Sequence, residues 1–123
     1  MILSINHIQL VAEKDLVIQL RDFYCDVVGL TEGFRPAFER FGFWLYINDK
    51  DVVHLITPKE GDDRSPHKSS YDHVAFKTGD YEGVLKRLKE LNILFEEKPI
   101  PGMTAHQIFL RDPAGNRVEL NFD

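Results

Sequence analysis

With 123 residues the chain has the length of one domain that buries roughly two thirds of its unfolded surface. Its composition, 43% apolar and 28% charged, is that of an ordinary globular protein; a net charge of −5 offers no basic footprint for nucleic acid or an anionic membrane, so a small molecule or a protein is the expected partner. The start, Met1 to His7, lacks a signal peptide's basic and apolar regions, no apolar run reaches the length of a membrane span, and the single Cys25 forms no intrachain disulfide, which together predict a cytoplasmic protein.

The first predicted element is a half-buried strand over Ile5 to Val11, where Ile8 and Leu10 alternate with His7 and Gln9. Asp15 is placed to cap a helix whose apolar positions are Leu16, Leu20, Phe23 and Val27, and Gly29 is placed to end it. Three strand-like runs follow at Thr31 to Arg35, Phe41 to Ile47 and Val52 to Ile56, the last two joined by the turn signal Asn48-Asp49-Lys50-Asp51. Residues 1–57 thus read as β-α-β-β-β. Residues 58–70 are polar, contain two prolines and show no apolar periodicity, as expected of a linker.

Over residues 71–123 the plan restarts. His73-Val74-Ala75-Phe76 alternates as a strand, and Asp80 can cap a helix carrying Val84, Leu85, Leu88 and Leu91. Short strands are expected at Phe95 to Lys98, His106 to Arg111 and Arg117 to Phe122. Asp112-Pro113-Ala114-Gly115-Asn116 is strong turn chemistry, because Pro sets φ, Gly tolerates positive φ and Asp and Asn bond the local backbone. In the final strand Val118, Leu120 and Phe122 face one way, and Arg117, Glu119 and Asn121 the other. The expected class is therefore α+β, two tandem βαβββ modules within one domain.

The modules superpose along the sequence with little freedom: His7 to His73 spans 66 residues and His54 to Glu119 spans 65. Trp44 falls on Phe109 at that second offset. Each module places one donor residue on its first strand and one on its last, on the face its apolar neighbours avoid. Curved sheets meeting about a pseudo-twofold axis would bring His7, His54, His73 and Glu119 to one interior point. Imidazole and carboxylate together suit Zn, Ni, Fe(II) or Mn, and two histidines with one carboxylate match non-heme iron sites. A single histidine on a sheet is equally explained by a bond to a neighbour; the agreement of both modules in spacing and side-chain direction favours the metal. His54 can be a fourth ligand or an acid/base group, and Glu119 or His54 can move a proton. Trp44, Tyr46, Gln107 and Phe109 share the parity of a substrate-facing wall, or fill space there. Gln9 lies on the ligand face, and Arg35 is placed as a carboxylate clamp. His106 has the opposite parity and His67 lies in the linker, so neither belongs to the set.

These residues, with Phe23 to Leu30 closing the first helix, Phe43-Trp44-Leu45, Asp72 to Phe76 and Arg111 to Leu120, make the chain resemble the vicinal oxygen chelate superfamily of glyoxalase I, extradiol dioxygenases, methylmalonyl-CoA epimerase and the fosfomycin and bleomycin resistance proteins. The resemblance implies a U-shaped mixed sheet around a divalent metal, with His7, His73 and Glu119 at the three commonest ligand positions. His54 stands at the fourth, usually Glu in glyoxalase I and Gln in the epimerase. Glyoxalase-like lyase or isomerase chemistry on a substrate chelating through adjacent oxygens is the leading expectation. The alternatives are an extradiol-type dioxygenase, thiol transfer to a fosfomycin-like epoxide, which would add a thiol cosubstrate, and drug sequestration without a metal. A homodimer with sites between chains is expected, as in many relatives.

Overall fold

The computed structural model of the chain describes residue 3 and residues 5–62, 73–99 and 106–122. They belong to two compact units, Met1–Pro66 and His67–Asp123. Unit 1 runs β1 (Ile8–Val11), α1 (Lys14–Asp22), a π-helical turn (Phe23–Val28), β2 (Thr31–Gly33), β3 (Gly42–Ile47) and β4 (Lys50–Ile56). Unit 2 runs β5 (His73–Lys77), α2 (Tyr81–Glu90), β6 (Phe95–Pro99), β7 (His106–Arg111) and β8 (Arg117–Phe122). The sheet orders are β1-β4-β3-β2 and β5-β8-β7-β6, with the first and last strands of each unit parallel and the other pairs antiparallel. Both units are therefore βαβββ, and the class is α+β. Among the described residues no helix is long and apolar enough to cross a membrane.

Strand alternation gives each sheet two unlike faces. In unit 1 the inner face carries Leu45, Val53 and Leu55, all fully buried with Val17 and Leu20 of α1, which packs on β3 and β4. In unit 2 Ile108, Leu110, Val118, Leu120 and Phe122 are buried together with Leu88 of α2. Tyr81 of α2 meets the Phe122 edge and stacks on His106, so His106 looks toward the helix and away from Glu119, as its parity predicts. Each fully buried Leu or Val contributes roughly 1.5–3 kcal/mol.

Local details depart from the sequence pattern for identifiable reasons. The N-cap of α1 is Glu13, without a side-chain cap bond, and Asp15 lies inside the first turn, where its charge still favours the helix N-terminus. The helix widens at Phe23–Val28, and the amides of Gly29 and Leu30 both reach the Tyr24 carbonyl. This extra turn width buries the consecutive Phe23 and Tyr24, so the apolar stripe is Val17, Leu20, Phe23 and Tyr24, with Leu16 and Val27 only half-buried. Gly29 ends the segment at φ 100°, and Asp80 caps α2 by accepting the Gly83 amide. Leu91, expected on the buried stripe of α2, is its C-cap and is 42% exposed. Asp112 folds the β7–β8 turn as its sequence implies, accepting the amides of Ala114 and Asn116 and the Asn116 side chain. Residues 63–70 of the expected linker, with His67, and Asp72 lie outside the described residues.

At Gly42 a Cβ would run into the Leu55 carbonyl oxygen and approach Arg35 Nη2 to 3.1 Å. Because the first obstacle is backbone held in the β3–β4 ladder, Gly42→Ala is expected to lower stability by about 1–3 kcal/mol. Urea unfolding of the variant beside the parent checks this, and unchanged midpoint and slope would show that the ladder yields there.

Candidate functional site

In unit 2 the donor pair is formed by strand geometry. β5 runs parallel to β8 with Ala75 opposite Glu119 and His73 opposite Arg117, so His73 and Glu119 share a face one step apart. His73 Nε2 stands 3.7 Å from Glu119 Oε1. Donors each about 2.1 Å from one ion lie roughly 3.4 Å apart at a tetrahedral angle, so a small side-chain adjustment lets both reach it. Glu119 is a buried carboxylate, 6% exposed, and the Gln107 amide across the β7–β8 ladder donates to Oε1 at 2.9 Å. That bond fixes the rotamer, as an outer partner of a ligand does. Phe109, directly opposite Glu119, presents its ring edge-on to His73 at 5.7 Å and is covered by the Arg117 guanidinium at 4.0 Å.

Unit 1 repeats the arrangement with different chemistry. Gln9 of β1 is opposite His54 of β4, and Trp44 of β3 is opposite His54 from the other side. His54 is buried at 7% exposure between two rings: His7, just before β1, at 3.8 Å and 16°, and Trp44 at 4.1 Å and 5°. His54 Nε2 is 2.6 Å from Asp51 Oδ2. In a strand of period two, residues 51 and 54 should face opposite ways. They share a face because Leu45 pairs with Val53 and Tyr46 with Asp51, which leaves Val52 as an extra residue, a β-bulge that turns Asp51 round.

The electrostatics of this pair agree with the geometry. Burial holds the His54 imidazole below its ordinary range, with the His7 and Arg35 charges acting the same way against the raising effect of Asp51. The hydrogen bond with His54 holds the Asp51 carboxyl below its own ordinary value. A neutral imidazole donating its Nε2 proton to that carboxylate keeps its lone pair on Nδ1.

The donors therefore come in pairs, one pair to a unit. Within either unit no three His, Cys, Asp or Glu among the described residues gather into a set that could hold an ion. The unit 2 pair is a carboxylate and an imidazole 3.7 Å apart on one face of the sheet. In unit 1 the His7 and His54 rings lie in nearly parallel planes, and an imidazole lone pair lies in its ring plane, so the two cannot both point at one ion unless a ring turns. His7 Nδ1 is engaged with Asn6 Oδ1 at 2.8 Å, and because an amide oxygen accepts, Nδ1 is the donor and Nε2 of the neutral ring keeps the lone pair.

A sequence model of the Glyoxalase/Bleomycin resistance protein/Dioxygenase superfamily matches residues 4–120. The chain belongs to that superfamily. A glyoxalase family protein from Bacillus anthracis is 21% identical, with a TM-score of 0.79 over 100% of this chain and 97% of the other. The fosfomycin resistance protein FosX from Listeria monocytogenes, in its hexagonal form, is 17% identical with a TM-score of 0.72, covering 100% and 95%. A lactoylglutathione lyase from Agrobacterium tumefaciens is 22% identical with a TM-score of 0.67, covering 97% and 92%. At such identities these likenesses speak for the fold. No protein of curated function matches the chain.

The remaining candidates of this superfamily member divide. Gln9, Arg35, Trp44 and His54 line one pocket of about 190 Å³ in unit 1. Tyr46 does not line it, since its hydroxyl donates to the Phe34 carbonyl at 2.6 Å and holds the chain leaving β2. Gln107 and Phe109 flank Glu119 and His73 in unit 2. Sequence reasoning missed Asp51, which read as turn, and Arg40 and Phe38, which line the same pocket as Arg35. The cue for Arg40 was present in the pairing of two arginines with aromatics over residues 34–44.

Proposed function

We propose that the protein is a metal-dependent enzyme acting on a small substrate that chelates through two adjacent oxygens, by glyoxalase-like lyase or isomerase chemistry. The observation that carries this reading is the His73–Glu119 pair, 3.7 Å apart and braced by Gln107 on the polar face of β5 and β8. In this reading His7, His73 and Glu119 hold the divalent ion, which is Zn, Ni, Fe(II) or Mn. When bound, it supplies Lewis acidity worth several kcal/mol of charge stabilisation. His54 takes a proton from the substrate carbon on Nδ1 and returns it to the neighbouring carbon, while Asp51 keeps the ring oriented and offsets the charge it gains. Trp44, flat against His54, holds the plane of that ring. Membership of the superfamily supports a small molecule as substrate, and a thiol cosubstrate belongs to the reading only by the name of the lactoylglutathione lyase that the fold resembles.

Metal analysis of protein purified without chelator tests the reading directly: about one equivalent per chain is expected, and less than about a tenth, with no uptake on titration, would turn it into a metal-free drug-binding protein.

A second reading, an extradiol-type dioxygenase, is favoured by one observation. His54 is engaged by two ring stacks and by Asp51, which would leave His7, His73 and Glu119 as the ligands, and two histidines with one carboxylate suit non-heme iron. Oxygen separates the two. The lyase is expected to turn over a 2-oxoaldehyde with a thiol under anaerobic conditions, whereas one O2 consumed per catechol by the Fe(II)-loaded protein in an oxygen electrode would establish the dioxygenase.

A further inference from the structure

The unit 1 pocket has an unbalanced charge. Arg35 and Arg40 both line it, together with Gln9, Phe38, Trp44 and His54, and no carboxylate of the described residues does. Neither arginine forms an ion pair among the described residues. Each is held by a neutral acceptor instead: Arg35 Nη2 donates to the Arg40 carbonyl at 2.9 Å, and Arg40 Nη1 to the Thr57 carbonyl at 3.0 Å. Arg35 also lies over the Phe38 ring at 5.1 Å. Its Nε is buried and has no hydrogen-bond partner among the described residues. Buried donors are nearly always satisfied, so the guanidinium of Arg35, a side chain that lines the cavity, is short of an acceptor. Burial and the neighbouring Arg40 both hold the Arg35 pKa below its usual value, the signature of a cation short of counter-charge. Gly42 belongs to the same construction, because even a methyl there would press on Arg35 Nη2.

We propose that this pocket binds an oxyanion group of the substrate, a carboxylate or a phosphoryl or phosphonyl group, with the guanidinium groups of Arg35 and Arg40 as its two cations. The planar fork of a guanidinium matches two oxygens of such a group, and Gln9 can donate a further bond from the sheet. At about 190 Å³ the space is below the roughly 300 Å³ at which drug-sized sites begin, so it takes the acidic end of a small molecule. His54, the proton-handling residue, lines the same pocket. That the anion belongs to the substrate rests on the metal-enzyme reading; anion binding itself does not.

Trp44 is the single tryptophan of the chain, so its emission reports this pocket without labelling. The full chain, stripped of metal and desalted free of chelator, is titrated with inorganic phosphate, methylphosphonate and succinate at constant ionic strength made up with sodium chloride. A saturable change beyond the chloride control is expected. The tighter of the phosphoryl and carboxylate arms names the source. Arg35→Gln is expected to weaken binding at least about tenfold, Arg35→Lys to fall between because it keeps charge without the fork, and Lys86→Gln on α2 to leave it unchanged. Circular dichroism establishes that each variant is folded; should Arg35→Gln fail that check, Arg40→Gln and the NMR shift of the Trp44 indole N–H in the parent carry the test. Emission and indole shift that follow chloride alone, or folded Arg35 and Arg40 variants with parental affinity, would overturn the proposal. Because no metal is present, failure of the metal reading leaves this result untouched, and a protein that holds metal but no anion loses only the subsite.

Discussion

Glu119→Ala is expected to cost the protein its tight affinity for a divalent transition metal, and His73→Ala to do the same. Removing even an outer partner of a ligand costs roughly 10–100-fold in metal affinity, so loss of a ligand itself should cost on the order of a thousandfold or more. The size follows from what each residue supplies: Glu119 brings the only carboxylate of the candidate set, buried and already oriented by Gln107, and His73 brings the nitrogen 3.7 Å away. Gln107→Ala leaves both donors but frees the rotamer of Glu119, and is expected to fall in the 10–100-fold range. His106→Ala should change nothing, because that ring stacks on Tyr81 on the helix side of the sheet. Glu119→Ala also leaves the Gln107 amide without its acceptor, so Glu119→Gln, which keeps the shape, separates ligand loss from lost stability. Calorimetric titration with Zn of the four sites' variants reads all of this; equal affinity in the His73 and His106 variants would remove the ligand assignment.

Much of the fold was legible because a strand's period of two is hard to disguise. The offset of 65 residues sets Trp44 on Phe109 and His54 on Glu119, and the ladders place Trp44 opposite His54 in one unit and Phe109 opposite Glu119 in the other. The parity of His106 was readable for the same reason. What was not legible lay where the period breaks. The bulge at Val52 turns Asp51 toward His54, and from periodicity alone Asp51 belongs to the turn. The π-helical turn shifts the buried stripe of the first helix from Leu16 and Val27 to Val17 and Tyr24. The stack of His7, His54 and Trp44 depends on rotamers, which spacing does not determine, and so does the choice of His54 as ligand or proton carrier. Arg40 escaped notice because it lies in the irregular stretch between β2 and β3, where side-chain direction has no period to follow.

A mixture of two inactive chains is expected to regain metal. His7 and His54 belong to unit 1 and His73 and Glu119 to unit 2, so neither unit alone holds the proposed ligand set. The polar stretch of 14 residues from Thr57 to Ser70 can reach roughly 46 Å when extended, at about 3.3 Å per residue, so joining the units in one chain does not oblige them to share a site. We propose that the site is completed between two copies of the chain, related by a twofold axis, the commonest closure for soluble oligomers. One chain carrying His7→Ala and His54→Ala and another carrying His73→Ala and Glu119→Ala each lack half of every site as homodimers, so neither alone should bind tightly. Unfolded together and refolded, half of the dimers are mixed, and each mixed dimer joins one intact unit 1 to one intact unit 2 while its second site stays doubly defective. Roughly a quarter of the parental metal capacity should then return, with the same fraction of any activity. The recovered sites should scale with the product of the two chain concentrations, a dependence that residual binding by either variant cannot imitate. No recovery in any proportion, from chains whose circular dichroism shows them refolded, would place all the ligands of one site in a single chain.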